Sequence, residues 1–456
     1  MTITKPTKGT KAAKTRGKTR TRVARAKPIK HLDPASGIKN VQDLADHLYV
    51  AAQVELSTIP MYLYATYSIR TRGHSQWAAP RGVLRSLIGI SIEEMLHLAL
   101  VRNLMVAIGH GSEITFYDEA FIPTYPSFMM HRYNPDDEDG PEIMLTLDRL
   151  SKQQVGTFRR VEMPDKVDLD AVTFAAHPEE VGQYTSLGAF YRAIEKGFVD
   201  LEGQIKWAVN DVRKQYKRAF WNEYGSGKPI RVHDLATARQ ALKIIIEQGE
   251  GTLTDHKRLP VRPGVDEYTH YEKFLRIERG EEGIGAGDGS PKHEISIDDP
   301  KATWPVVSNP WVDEYEDQPA IHNLMTLFNA AYCYMLSLLD ELYQHSTDDV
   351  KTKKNPGTDR KEQFSRRYGL ERNGVALMQG ILYPIAQTLV STPIPGGEYK
   401  GLHAAPSFEY YAFDQAQGRT KKQQLIELCD KALQHFPILG GPDGVQRQIS
   451  LLADIP

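Results

Sequence analysis

Two tetrapeptides of the form Glu-x-x-His occur in the chain, Glu94-Met95-Leu96-His97 and Glu267-Tyr268-Thr269-His270. Residues at i and i+3 share a helical face, so each carboxylate and imidazole can point at one ion. Upstream, Glu55 lies at helical spacing among Leu48, Ala52 and Ile59. A carboxylate on such an apolar stripe has to be paired, protonated or bound to a cation, because an isolated buried charge is very costly. Helix-borne glutamates with two Glu-x-x-His pairs are the ligand set of di-iron and di-manganese carboxylate bundles. Carboxylates offset the charge of two divalent ions, and imidazoles complete the coordination without adding charge. Open positions then accept O2, peroxide or substrate.

A third helix has to supply another carboxylate. Glu195, one turn from Tyr191 and near Phe198, is the choice, with Glu202 in reserve. Glu94 and Glu195 are taken as the catalytic residues; Glu94 or a glutamate of the third or fourth helical region bridges the metals, and Glu55, His97 and His270 bind terminally. A fourth region reads Ile246-Glu247-Gln248-Gly249-Glu250-Gly251, where glycine lets backbone approach closely. Either Glu250 or Glu267 accompanies His270, and spacing does not separate them. Blander readings exist for each: solvated histidines, a salt bridge from Glu55 to Arg85 or Arg102, and a polar face where Arg192 and Lys196 flank Glu195.

Helical periodicity positions these residues. It predicts helices over 41–70, kinked by Pro60 just beyond Glu55, and over 80–108, ending at Gly109. From 111 to 184 the pattern breaks, with a short strand near 143–147; this reads as a crossover or cap carrying small elements. Helices return over 187–221, 235–248 and 266–279. A Gly- and Pro-rich stretch follows, then helices over 320–343, 374–391 (kinked at Pro384) and 421–435. The basic run from Lys351 reads as a solvated loop. The expected organisation is a basic disordered tail (1–38), a metal-binding four-helix bundle with a crossover insertion (39–280, insertion about 111–184), an extended segment (281–317) and a C-terminal helical extension (318–456).

At 456 residues and a net charge of −2, nothing global points to nucleic acid or an anionic membrane surface. The tail is basic, with no acid before Asp33, and too poor in large apolar residues to offset its ordering entropy. Two cysteines exclude a disulfide framework and any Cys-rich metal site. No apolar stretch is expected to reach transmembrane length and no signal-peptide pattern is seen, so a cytoplasmic setting is expected. A homodimer is the default assembly.

The segment Glu55-Leu56-Ser57-Thr58-Ile59-Pro60-Met61-Tyr62-Leu63 closely resembles the first helix of the ferritin-like domain in iminophenylpyruvate dimer synthases, enzymes of violacein and rebeccamycin-type pathways. Further similarity runs through Glu93-Glu94-Met95-Leu96-His97, Gln248-Gly249-Glu250-Gly251, His270-Tyr271-Glu272-Lys273-Phe274 and Pro406-Ser407-Phe408-Glu409, covering most of residues 40–412. The resemblance implies a ferritin-like helical core, a non-haem metal site and oxidative chemistry on a small molecule. Taken together, the expected protein is a mainly α, di-metal oxidase or oxygenase, with two iron ions preferred and manganese as the alternative. It would act on an aromatic or amino-acid-derived metabolite with O2 or peroxide and an electron donor. Catalase-like peroxide disproportionation and a non-catalytic metal-binding or structural role are the other readings.

Overall fold

The computed structural model describes residues 29, 32–70, 82–132, 142–164, 184–217, 228–249, 268–282, 295–346, 351–354, 361–414 and 418–455. Most of the basic tail, and both Glu250 and Glu267, lie outside the described residues.

Helix α1 (Val41–Ser68) starts at Asn40, whose side chain accepts from the Asp43 amide, and α2 (Val83–Ala107) is followed by Gly109 at φ +85°. Both are apolar on nearly every face, as befits helices enclosed on all sides. Between them and the next long helix lies the crossover. It holds an antiparallel pair, β1 (Ser127–Arg132) and β2 (Glu142–Leu145), and a helix the periodicity did not predict, α3 (Lys152–Val161). Then come α4 (Leu187–Asp200), α5 (Leu235–Gly249) and α6 (His270–Glu278). Helix α1 packs on α2, α2 on α5, α5 on α4 and α4 back on α1, closing a four-helix ring. Helix α6 lies against α3, α2 and α5.

Pro60 does not interrupt α1, which runs on to Ser68. Proline at 60 removes the amide that would bond the Leu56 carbonyl; one residue on, the Ser57 carbonyl accepts from the Tyr125 hydroxyl at 2.6 Å. Helix α4 is shorter than its apolar pattern suggested and gives way to a 3-10 turn at Val209–Lys214.

The C-terminal layer begins with α7 (Pro319–Gln344) and a hairpin, β3 (Lys351–Lys354) with β4 (Lys361–Phe364). The basic run is therefore strand rather than loop. A single rod follows: α8 (Arg366–Ala376), a π-helical turn (Leu377–Leu382) and α9 (Tyr383–Ser391). The expected disturbance at Pro384 takes the form of that widened turn just before it. Arg366–Ser391 has the length and composition of a membrane span, against the expectation that no stretch does. In this fold it packs on α7 and, through α9, on α1. Helices α10 (Lys421–Leu433) and α11 (Val445–Leu451) complete the layer.

The layer is bound to the bundle by buried polar ties as well as by apolar contact. The Tyr64 hydroxyl donates to the Val307 carbonyl, in the segment that leads into the layer. Arg367, 1% exposed, donates to the carbonyls of Lys214, Leu342 and His345 and pairs with Glu371 at 3.1 Å. Cys333 and Cys429 are both buried and unbridged.

Candidate metal centre

Inside the ring, α1 contributes Glu55, Thr58 and Tyr62, spaced to share a face, and α2 contributes Glu93, Glu94 and His97. Glu55, Glu94 and His97 form one group whose ligand atoms lie within 4.8 Å of one another; Glu94, Glu162 and His270 form a second. Glu94 belongs to both. All five side chains are buried.

Each imidazole has an inner and an outer nitrogen. His97 Nε2 lies 3.1 Å from the Gln248 amide oxygen, an acceptor, which places the ring proton there. Nδ1 then faces Glu55 at 3.5 Å and Glu94 at 3.9 Å with its lone pair. His270 Nε2 lies 3.0 Å from Glu93 Oε2, which Lys273 also reaches at 2.9 Å. His270 Nδ1 sits 2.8 Å from Glu94 and 3.7 Å from Glu162, yet makes no hydrogen bond of acceptable geometry to either. An orphaned, wholly buried ring nitrogen among carboxylates suits a shared cation better than any one oxygen. Outer-nitrogen bonding to a carboxylate or amide is the usual means of orienting metal-binding histidines. The donor set therefore fits a pair of metal ions.

The carboxylates are held in turn. Thr58 Oγ1 donates to Glu94 Oε2 at 2.6 Å, Tyr62 to Glu162 and Tyr191 to Glu55. Burial pushes the Glu55 carboxyl up to about 7, opposed by the Tyr191 hydrogen bond. Glu94 is raised by burial and then by the Glu55 charge. His97 is lowered, chiefly by burial. Burial opposes charge on His270 as well, but Glu162, Glu93 and Glu94 outweigh it and hold its pKa well above the ordinary value. Without a cation the cluster thus favours taking up protons, the response of crowded anions in a dry site. The space among these groups is about 20 Å3, bounded also by Leu187, Gly188, Ile245 and Gly249.

Of the residues expected at the site, Glu55, Glu94, His97 and His270 come together. Glu195 does not. Its helix turns Phe190, Tyr191, Ile194 and Phe198 inward, and Glu195 sits at the border of that stripe, paired with Arg239 of α5 at 2.7 Å. Glu202 lies beyond the end of α4 and is exposed. The further carboxylate that the described residues bring to the cluster is Glu162, at the C-cap of α3. The reasoning from sequence missed it because the crossover looked irregular. The signal was there: Ser151-x-x-Gln154 caps a helix, and Val155, Phe158 and Glu162 fall on one stripe. The pairing of Glu267 or Glu250 with His270 falls outside the described residues. Helix α6 starts at His270 with Thr269 as its N-cap.

A family model described as "Ferritin-like" matches residues 48–279. Among curated proteins, the chain is 26% identical to dichlorochromopyrrolate synthase of Lentzea aerocolonigenes over 419 residues, 83% of this chain and 37% of that protein. It is 24% identical to 2-imino-3-(indol-3-yl)propanoate dimerase of Chromobacterium violaceum over 388 residues, 78% of this chain and 33% of that protein. The chain thus spans about a third of the length of these relatives. A crystal structure of a ferritin-like protein from Caulobacter vibrioides is 21% identical, with a TM-score of 0.42, covering 67% of this chain and 88% of that one. The names of both enzymes agree with the resemblance drawn from residues 55–63.

Proposed function

The chain belongs to the ferritin-like family, and from that premise we propose that its buried Glu/His cluster is a dinuclear metal centre oxidising a small metabolite. Iron is the preferred metal and manganese the alternative, with O2 or peroxide as oxidant. The observation that carries this reading is the sharing of Glu94 between two triads whose histidines both offer an inward Nδ1. Glu94 would bridge, with Glu55 and His97 on one side and Glu162 and His270 on the other.

The metal pair would supply electrons to the oxidant. The chain's own residues do the rest. Glu93 and Gln248 fix the two ring tautomers, and Thr58, Tyr62 and Tyr191 orient the three carboxylates. Tyr62 and Tyr191, both held well above the ordinary phenol range by burial and neighbouring carboxylates, stay protonated as hydrogen-bond donors. Their aromatic surroundings, such as Phe158 and Phe274 beside Tyr62, keep bulk water out. Three inner carboxylates leave two divalent ions short of neutral by one charge. Glu250, next in sequence to the site-lining Gly249, is our choice for a fourth.

The test is metal content after anaerobic loading. Two equivalents in the wild type, about one after His97→Ala or His270→Ala and almost none after Glu94→Ala are expected. A wild type that takes up no iron or manganese would defeat the reading. O2 consumption by reduced, iron-loaded protein then tests the oxidase assignment.

One observation favours a second reading. Among the described residues, the space of about 20 Å3 at the cluster is of the size that admits a water-sized molecule. Peroxide disproportionation, which needs no organic pocket, fits it. Rapid peroxide loss with manganese-loaded protein, without O2 uptake by the iron form, would select that alternative.

A further inference from the structure

A second cavity, of about 170 Å3, lies on the other flank of α1 and α2, between them and the C-terminal layer. Leu56 and Met95 line it, each one residue and so roughly 100° of helical turn from Glu55 and Glu94. The metal cluster and this cavity therefore occupy different faces of the same two helices. Close-packed interiors contain few voids larger than a water molecule, and an apolar void of roughly 150 Å3 takes up benzene.

We propose that this cavity binds an uncharged aromatic molecule of one or two rings, bearing a polar atom that pairs with the Tyr332 hydroxyl. Its wall is aromatic and aliphatic, and it includes three thioethers, Met95, Met335 and Met378, which adapt to flat ligands and contact ring edges favourably. Among the described residues no charged side chain lines it; Arg102 stands over the ring of Tyr343, 5.0 Å from its centroid. A carboxylate would find no counter-charge there, so the propanoate and pyrrolate of the relatives' names are excluded as occupants. Tyr332 is 6% exposed, and its hydroxyl has no hydrogen-bond partner, which a buried polar group rarely tolerates.

Two backbone features point to the same place. The π-helical turn Leu377–Leu382 contributes Met378 and Leu382 to the wall, and such turns recur at binding sites. Phe408, at φ +54°, lines both this cavity and a surface cleft bounded by Glu119, Trp311 and His322. A bulky residue in that conformation is strained and persists where its placement matters. It is shared by the cavity and the cleft, which puts the ligand's way in at Phe408.

Calorimetric titration of the full chain with phenol, its near-isostere toluene, and benzoate tests the assignment. Saturable binding of phenol and toluene is expected, with benzoate weaker than both. Tyr332→Phe should weaken phenol about five- to tenfold while leaving toluene within about twofold, the worth of one hydrogen bond. Ala99→Phe and, separately, Met378→Trp should fill the space and abolish both. Glu94→Ala should leave both affinities intact, since the site does not depend on metal. The proposal is overturned by absent binding in the wild type, by benzoate binding best, by equal losses of phenol and toluene in Tyr332→Phe, or by unchanged binding in a folded, filled variant. Should both filled variants misfold, the wild-type and Tyr332→Phe titrations still decide.

Discussion

At the scale of the residue, the histidines of the cluster are themselves held by outer partners. Glu93 holds His270 through Nε2 and is itself neutralised by Lys273. Glu93→Leu should weaken metal binding on the His270 side by about 10- to 100-fold, with the His97 side nearly unaffected, as competition against a chelator would read out. A second consequence concerns acid. His131 is buried, and burial pushes its pKa down to about 4 from an ordinary 6.5. As pH falls through 6.5 the unfolded chain's imidazole takes a proton that the folded ring refuses until about 4. Stability present above 6.5 is therefore lost over that window, by about 3 kcal/mol from this group. Urea unfolding of His131→Leu between pH 7 and pH 4 should show a shallower decline than the wild type; parallel curves would refute the assignment.

At the scale of the element, one short helix end sets the second triad. Thr269 and Glu272 form a reciprocal capping box, and His270 is the first residue after the cap. Thr269→Ala should cost about 1 kcal/mol, and it should lower occupancy of the His270 side before the His97 side. This is also where the legibility of the sequence is clearest. Helices α1, α2, α5, α7 and α10 were readable because long apolar periods or glycine and proline stops mark them, and Glu55, Glu94 and His97 were readable because those helices carry them. Glu162 was hidden because α3 is only ten residues long and sits inside a crossover without a long period. Glu195 misled because a border position on an amphipathic helix looks the same in sequence whether it faces a metal or an arginine. The π turn was half legible: Pro384 announced a disturbance, and packing chose its form.

At the scale of the whole molecule, the bundle and the C-terminal layer behave as one body through Arg367, whose guanidinium serves three carbonyls from two separate segments and one carboxylate. Arg367→Met should destabilise the fold by about 3–5 kcal/mol, because it strands Glu371 and the carbonyls in the interior. Calorimetry showing two separated transitions in that variant, against one in the wild type, would mark the uncoupling. The apolar wall between bundle and layer has a further consequence, for how long such a protein lasts in use. The O2 or peroxide chemistry proposed above would leak, and sulfur would be the first casualty. Burial holds both thiols at about 12, protonated and slow to react. Met95 has no such protection from its chemistry; it follows Glu94 in sequence and lines the apolar cavity on the neighbouring face of the same helix. Ageing under turnover should therefore write itself there first, as a sulfoxide at Met95 ahead of any change at Cys333 or Cys429, and peptide mass spectrometry would date the molecule by it.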